Sequence, residues 1–167
     1  DATKFKDEYT DNLNDRDLRI IIGSAHKEEE EYLVPALSHL IKINKNLKVL
    51  YALHEPTEIA LKEIKSKFHN EGIVGRVFKQ KTDLMLPSDS LVLLGIVGVL
   101  SRLYWQGQIA YVGGGHSTGV HNVMEPAVAK LPVVFGPRYQ NSHEAEELIK
   151  GNGGFCVKNG EEFLAVI

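Results

Sequence analysis

The run Leu18-Arg-Ile-Ile-Ile-Gly23 is too apolar on both of its faces to lie against water on either side, and it does not stand alone. Similar short runs recur at Leu47–Leu53, Gly75–Lys79, Leu91–Leu94, Gln108–Gly113, Pro132–Gly136 and Gly154–Val157. The segments between them have helical spacing. In Glu28–Ile43 the apolar residues Tyr32, Leu33, Leu37, Leu40 and Ile41 fall on one face, with Pro35 expected to kink the helix near its start. Thr57 suits the cap of a helix reaching about His69, and Asn141 or Ser142 that of a helix ending at Lys150. Further helices are expected over Gly98–Trp105, His121–Lys130 and from Glu161 onward, with a loop over Lys81–Ser90. Strands buried on both faces and alternating with helices call for an α/β fold, a parallel sheet with helices on both faces. Ligands of such sheets bind beyond the C-terminal ends of the strands. The loops of interest are therefore Gly23–His26, His54–Glu55, Gly95–Gly98, Gly113–His121 and Gly136–Arg138.

The chain of 167 residues suits one domain, and 43% hydrophobic with 25% charged residues is ordinary for a globular protein. A formal charge of -3 with scattered lysines gives no basic stripe, so no nucleic-acid partner is expected. Lys62, Lys65 and Lys67 read as a solvated helix face. The single cysteine, Cys156, excludes an internal disulfide and reads as a small buried strand residue. No apolar run is long enough to span a membrane. Residues 1–17 are polar and read as a tail or linker, with the domain over 18–167.

Tyr111–Lys130 is the most informative stretch. A buried strand breaks into Gly113, Gly114, Gly115 and Gly119, then leads to a helix expected from His121 with Glu125 and Pro126 in its first turns. Glycines permit a tight reversal, and they also let backbone N–H groups approach a phosphate at a helix N-terminus. The spacing is neither the dinucleotide fingerprint nor a P-loop. Glu125 suits the helix dipole, or the two hydroxyls of a ribose. His121 and Asn122 serve as caps or line a phosphate. His26 and His54 follow strands on one rim, where they are either plain surface residues or ligand contacts. Glu28–Glu31 reads as a solvated helix start, and Arg138 as an anion contact or an exposed side chain. His116 and His121 lack helical zinc spacing and an evident third ligand, so no metal is expected.

Ile109–Ile149, with Gly-Gly-Gly-His-Ser-Thr-Gly-Val-His-Asn-Val-Met-Glu-Pro-Ala followed by Leu-Pro-Val-Val-Phe-Gly-Pro, resembles the C-terminal half of 3-deoxy-D-manno-octulosonic acid (Kdo) transferases. Similarity extends back through Ile20–Glu31 and Tyr51–Pro56. The resemblance implies a Rossmann-like domain, one half of a GT-B glycosyltransferase fold, that binds CMP-Kdo as donor and needs no cofactor. It implies that His54, Glu55, Gly98, Val99, Leu100, His121, Asn122, Val123, Met124 and Glu125 hold CMP, with Glu125 on the ribose. His26, Gly114, Gly115 and Arg138 would meet the phosphate or the donor sugar. The chain departs from the family pattern at Gly95 and Val99, where acidic residues are common, so Val99 would act through its backbone.

The family transfers Kdo to a lipid A precursor in lipopolysaccharide synthesis, at the cytoplasmic face of the inner membrane. Its catalytic base is a glutamate of an N-terminal acceptor domain, for which residues 1–17 leave no room. The expected entity is thus a donor-binding domain, truncated in its last helix, inactive alone, and exposing apolar surface where a partner domain would dock. The competing expectations are the donor half of another GT-B transferase or of a sugar-nucleotide epimerase using a uridine nucleotide, and a non-catalytic α/β interaction domain.

Overall fold

The computed structural model describes residues 17–167, so the expected tail or linker lies outside the described residues save for Asp17. The order is β1 (Leu18–Ala25), α1 (Lys27–Ile43), β2 (Leu47–Leu53), α2 (Glu58–Asn70), β3 (Arg76–Phe78), β4 (Leu91–Leu94) and α3 (Leu100–Leu103). A 3-10 turn (Tyr104–Gln106) leads to β5 (Ile109–Val112), α4 (Met124–Val128), β6 (Val133–Phe135), α5 (His143–Lys150), β7 (Gly154–Cys156) and α6 (Gly160–Val166).

The strands form one seven-stranded sheet in the order β3-β4-β2-β1-β5-β6-β7. Every recorded pairing is parallel. The apolar runs supply both faces because successive side chains of a strand point to opposite sides. Ile20 and Ile22 pack with Leu33, Leu37, Phe68 and Phe163 of the helices on one side. Ile21 joins Leu50, Val92, Leu103 and Tyr104 on the other. The three isoleucines are fully buried, a hydrophobic contribution of roughly 1.5–3 kcal/mol each.

Local signals set the ends of the elements. Thr57 accepts from the Ala60 N–H at 3.1 Å, and Ser142 from the Ala145 N–H at 3.1 Å. Helix α1 runs through Pro35 without a break. The loop before β4 is irregular but pinned. Gln106 donates to the Leu84 carbonyl (2.7 Å) and accepts from the Leu86 N–H (2.9 Å), while the buried Arg19 guanidinium donates to the Pro87 carbonyl (3.0 Å). Cys156 is only half-buried, and burial holds its thiol above the ordinary value.

Two sequence expectations are corrected. The helix expected over His121–Lys130 is confined to Met124–Val128. Its expected first residues are tied elsewhere: His121 N–H to the Gly113 carbonyl, and the Asn122 side chain to the Met124 N–H. The helix expected over Gly98–Trp105 is a single turn followed by the 3-10 turn.

Candidate functional site

The sheet reverses its strand order between β1 and β5, and the loops leaving these strands lie side by side. In β1 the register slips between Ile22 and Ala25, with Ser24 at φ 52. Such bulges re-aim side chains. Here the Ala25 carbonyl accepts from the His54 N–H at 2.9 Å, and His26 becomes the residue before α1.

The glycine-rich loop after β5 is wired to its own surroundings. Gly113 N–H donates to the Gly23 carbonyl (2.8 Å), and the Gly114 carbonyl accepts from the Ser117 and Gly119 N–H groups (3.0 and 2.9 Å). Arg138 N–H donates to the Gly115 carbonyl (2.8 Å). A Cβ at Gly113 would lie 2.1 Å from the Ser24 carbonyl oxygen, and one at Gly115 2.6 Å from the Gly136 backbone. Gly114 and Gly119 have φ +96 and +124. The close approach made by Gly113, Gly114 and Gly115 is to protein backbone, and that made by Gly119 is to the Asn141 side chain. Gly114, expected to meet a phosphate, donates its N–H to Glu29 instead (3.1 and 3.3 Å). The Arg138 guanidinium is exposed, yet it clamps the loop through the Ser117 carbonyl at 2.6 Å.

Glu29 overturns the reading of Glu28–Glu31 as solvated. It is fully buried and also accepts from the His26 N–H and the Tyr111 hydroxyl, both at 2.9 Å. Tyr111 is hydrogen-bonded in turn to Tyr32. Burial raises the Glu29 pKa, while hydrogen bonds from His26, Tyr111 and Gly114 oppose the rise. Burial likewise pushes both tyrosine phenols up. Glu30 is also buried and pairs with Lys67, so the lysine cluster of α2 is not wholly a solvated face. The sequence held one signal for Glu29: it stands three residues after His26, the spacing at which a carboxylate reaches back to a helix-start N–H.

Beside this loop, at the ends of β2 and β4, is a recess of about 240 Å³. Four of the expected residues line it, His54, Gly98, Leu100 and Glu125, together with Ser24 and Ser101, which sequence reading missed. Burial raises the Glu125 pKa. The other expected residues are placed differently. Val99 and Val123 are buried in apolar clusters, which leaves only their backbones for a ligand. Glu55 lines a neighbouring groove with Lys81 and Val97. Asn122 accepts from the Met124 N–H at 2.9 Å, and Met124 is exposed.

His54, which lines the recess, clusters with His26 and His121. Their rings stack with centroids 4.3–4.8 Å apart. His26 Nε2 lies 2.5 Å from His121 Nε2. Burial lowers the pKa of His26 and His121, and their imidazole neighbours lower it further. The histidine weighed with His121 in the sequence, His116, packs instead against Tyr32 (5.0 Å between ring centroids). The third donor that looked absent is thus supplied by distant parts of the chain.

This arrangement defines a Rossmann-like α/β domain of the kind found as the C-terminal half of GT-B glycosyltransferases. No family model matches the chain. It is similar to the Kdo transferase of Aquifex aeolicus, 32% identical over 149 residues that make up 87% of this chain and 39% of that enzyme. The enzyme of Rickettsia typhi is 25% identical over 146 residues, 87% of this chain and 31% of the enzyme. Among solved structures, the C-terminal CMP-Kdo binding domain of WaaA from Acinetobacter baumannii superimposes with a TM-score of 0.79, at 22% identity, over 99% of this chain and 84% of that one. The chain is a homologue of one region of the Kdo transferases, and it spans about a third of the length of the curated relatives it matches.

Proposed function

We propose that this chain is the donor-binding domain of a Kdo transferase and seats the CMP moiety of CMP-Kdo in the recess at the ends of β2 and β4. The observation that carries this reading is the convergence of His54, Gly98, Leu100 and Glu125, from three separate segments of the chain, on that recess. In the proposed pose the base lies against Gly98–Leu100, where Gly98 leaves open space. Glu125 accepts hydrogen bonds from the ribose hydroxyls, and the phosphate points to the rim where His54 and His121 stand. The domain's contribution is to orient the donor and the departing nucleotide. The acceptor, a lipid A precursor, and the catalytic base would belong to another domain of the whole enzyme, working at the cytoplasmic face of the inner membrane. Among the described residues, no helix is long and apolar enough to cross a membrane.

Calorimetric titration with CMP, UMP and UDP tests this reading. CMP is expected to bind tightest. A preference for UDP would move the chain to a uridine-nucleotide transferase or epimerase, and no binding of any nucleotide would favour a non-catalytic interaction domain.

A further inference from the structure

We propose that His26, His54 and His121 form a binding site for a divalent transition-metal ion such as zinc. Neutral imidazole is a common ligand for these ions, and three protein donors with one open position is a recurrent zinc arrangement. The ligand nitrogens all lie within 4.8 Å of one another, and the closest recorded pair is 2.5 Å apart. Zinc–nitrogen bonds of 2.0–2.1 Å in tetrahedral geometry separate the donors by about 3.3 Å, inside that spread. Small side-chain adjustments therefore suffice.

The three residues come from separate segments, and each is held by its backbone. His26 N–H donates to Glu29, His54 N–H to the Ala25 carbonyl and His121 N–H to the Gly113 carbonyl. The hydrogen-bond chain beyond His26 suits one tautomer. With Ser117 Oγ donating to the Gly114 carbonyl (3.3 Å), it accepts from His26 Nδ1–H (3.2 Å), which leaves Nε2 bare toward the cluster. A metal-binding histidine usually has such a partner on its other nitrogen. In that tautomer, and without a metal, His121 Nε2–H donates into this lone pair. An ion would take the place of this one proton.

The rings are nearly parallel, with interplanar angles of 13–20°. A metal lies in the plane of each imidazole it binds, and His26 and His121 already meet end to end through their Nε2 atoms, so binding spreads this pair while His54 turns to face it. The exposed His54 gives both room and an entry path. The residues lining the adjoining recess include a carboxylate, Glu125, and neither lysine nor arginine. A divalent ion on three neutral ligands would supply positive charge for a phosphate there, a link that rests on the proposed nucleotide site.

The test titrates metal-stripped protein with Zn2+ by calorimetry and with Co2+ as the spectroscopic probe. Saturable one-to-one binding is expected, with the intense visible absorption of tetrahedral cobalt. Each of His26→Gln, His54→Gln and His121→Gln should weaken binding by at least about tenfold, the triple substitution should abolish it, and His116→Gln should leave it unchanged. Circular dichroism and melting of each variant check the fold. His54→Gln, at an exposed position, carries the test if the others fail to fold. Absence of one-to-one binding in the unaltered chain, or its survival in the triple variant, would overturn the proposal. CMP affinity is measured on metal-free protein, so failure of the nucleotide reading and failure of the metal site are told apart.

Discussion

The loops that follow β4 and β5 both contain a glycine of positive φ and both leave the same rim of the sheet, yet they are built in opposite ways. Around Gly113–Gly119 the space a side chain would need is filled by backbone of the Ser24 and Gly136 segments and by the Asn141 side chain. At Gly98 nothing lies within 4 Å of the place a Cβ would occupy, and the loop opens onto the recess. Glycine richness is thus no measure of ligand approach. The denser cluster lets the chain pack on itself, and the isolated glycine borders the space a ligand would fill.

The largest expected effect comes from Gly113→Ala, which drives a Cβ into the Ser24 carbonyl and should lower stability by about 3 kcal/mol or more in urea denaturation. A loss below about 1 kcal/mol would erase the contrast between the loops. Next, Glu29→Gln keeps the volume but sets an amide N–H against a donor of the network, and should cost about 2–3 kcal/mol by the same measurement. On the open side, Glu125→Ala should weaken CMP binding about tenfold in calorimetry while stability stays within about 0.5 kcal/mol. Unchanged affinity would return Glu125 to a helix-start role. Gly98→Ala should cost only about 1–2 kcal/mol, from its φ of +88 alone.

The smallest effect is on pH dependence. Burial raises the Glu125 pKa in the folded chain above its ordinary 4.5. Its contribution to stability is therefore fully present below 4.5 and is lost as pH rises through the folded value. Glu125→Gln should flatten the stability profile above 4.5, whereas CMP affinity of the unaltered chain should climb over the same window as the carboxylate ionises. A CMP affinity independent of pH there would remove the ribose from Glu125.

The sheet was legible in the sequence because Ile20–Ile22, Leu47–Leu53 and Leu91–Leu94 are apolar whichever way they face, and both faces are covered. The loops Gly95–Gly98 and His54–Glu55 were legible as rim because they follow such runs. Helix α4 was misjudged in length since the contact that holds His121 out of it comes from Gly113, which no local pattern reveals. Glu29 was hidden for a similar reason. A run of four glutamates looks solvated until a tyrosine and a glycine from β5 and its loop close over one of them. The histidine trio needed the fold itself, because its members approach only once β1, β2 and β5 are neighbours.

The placement of β1 between β2 and β5 also sets when the rim can exist. The bond from Gly114 to Glu29 spans 85 residues, and that from His26 to His121 spans 95. Contacts of such separation close long loops and are slow to form. During synthesis, the β1–α1–β2 unit can assemble while its Glu29 carboxylate and its Ile20–Gly23 edge still await β5. The recess, the clamp on the glycine loop and the imidazole cluster then form together, late, as the fifth strand docks. A translational pause or a truncation before Tyr111 would leave a partly built sheet whose Glu29 carboxylate lacks its Tyr111 and Gly114 donors, a state exposed to aggregation and proteolysis.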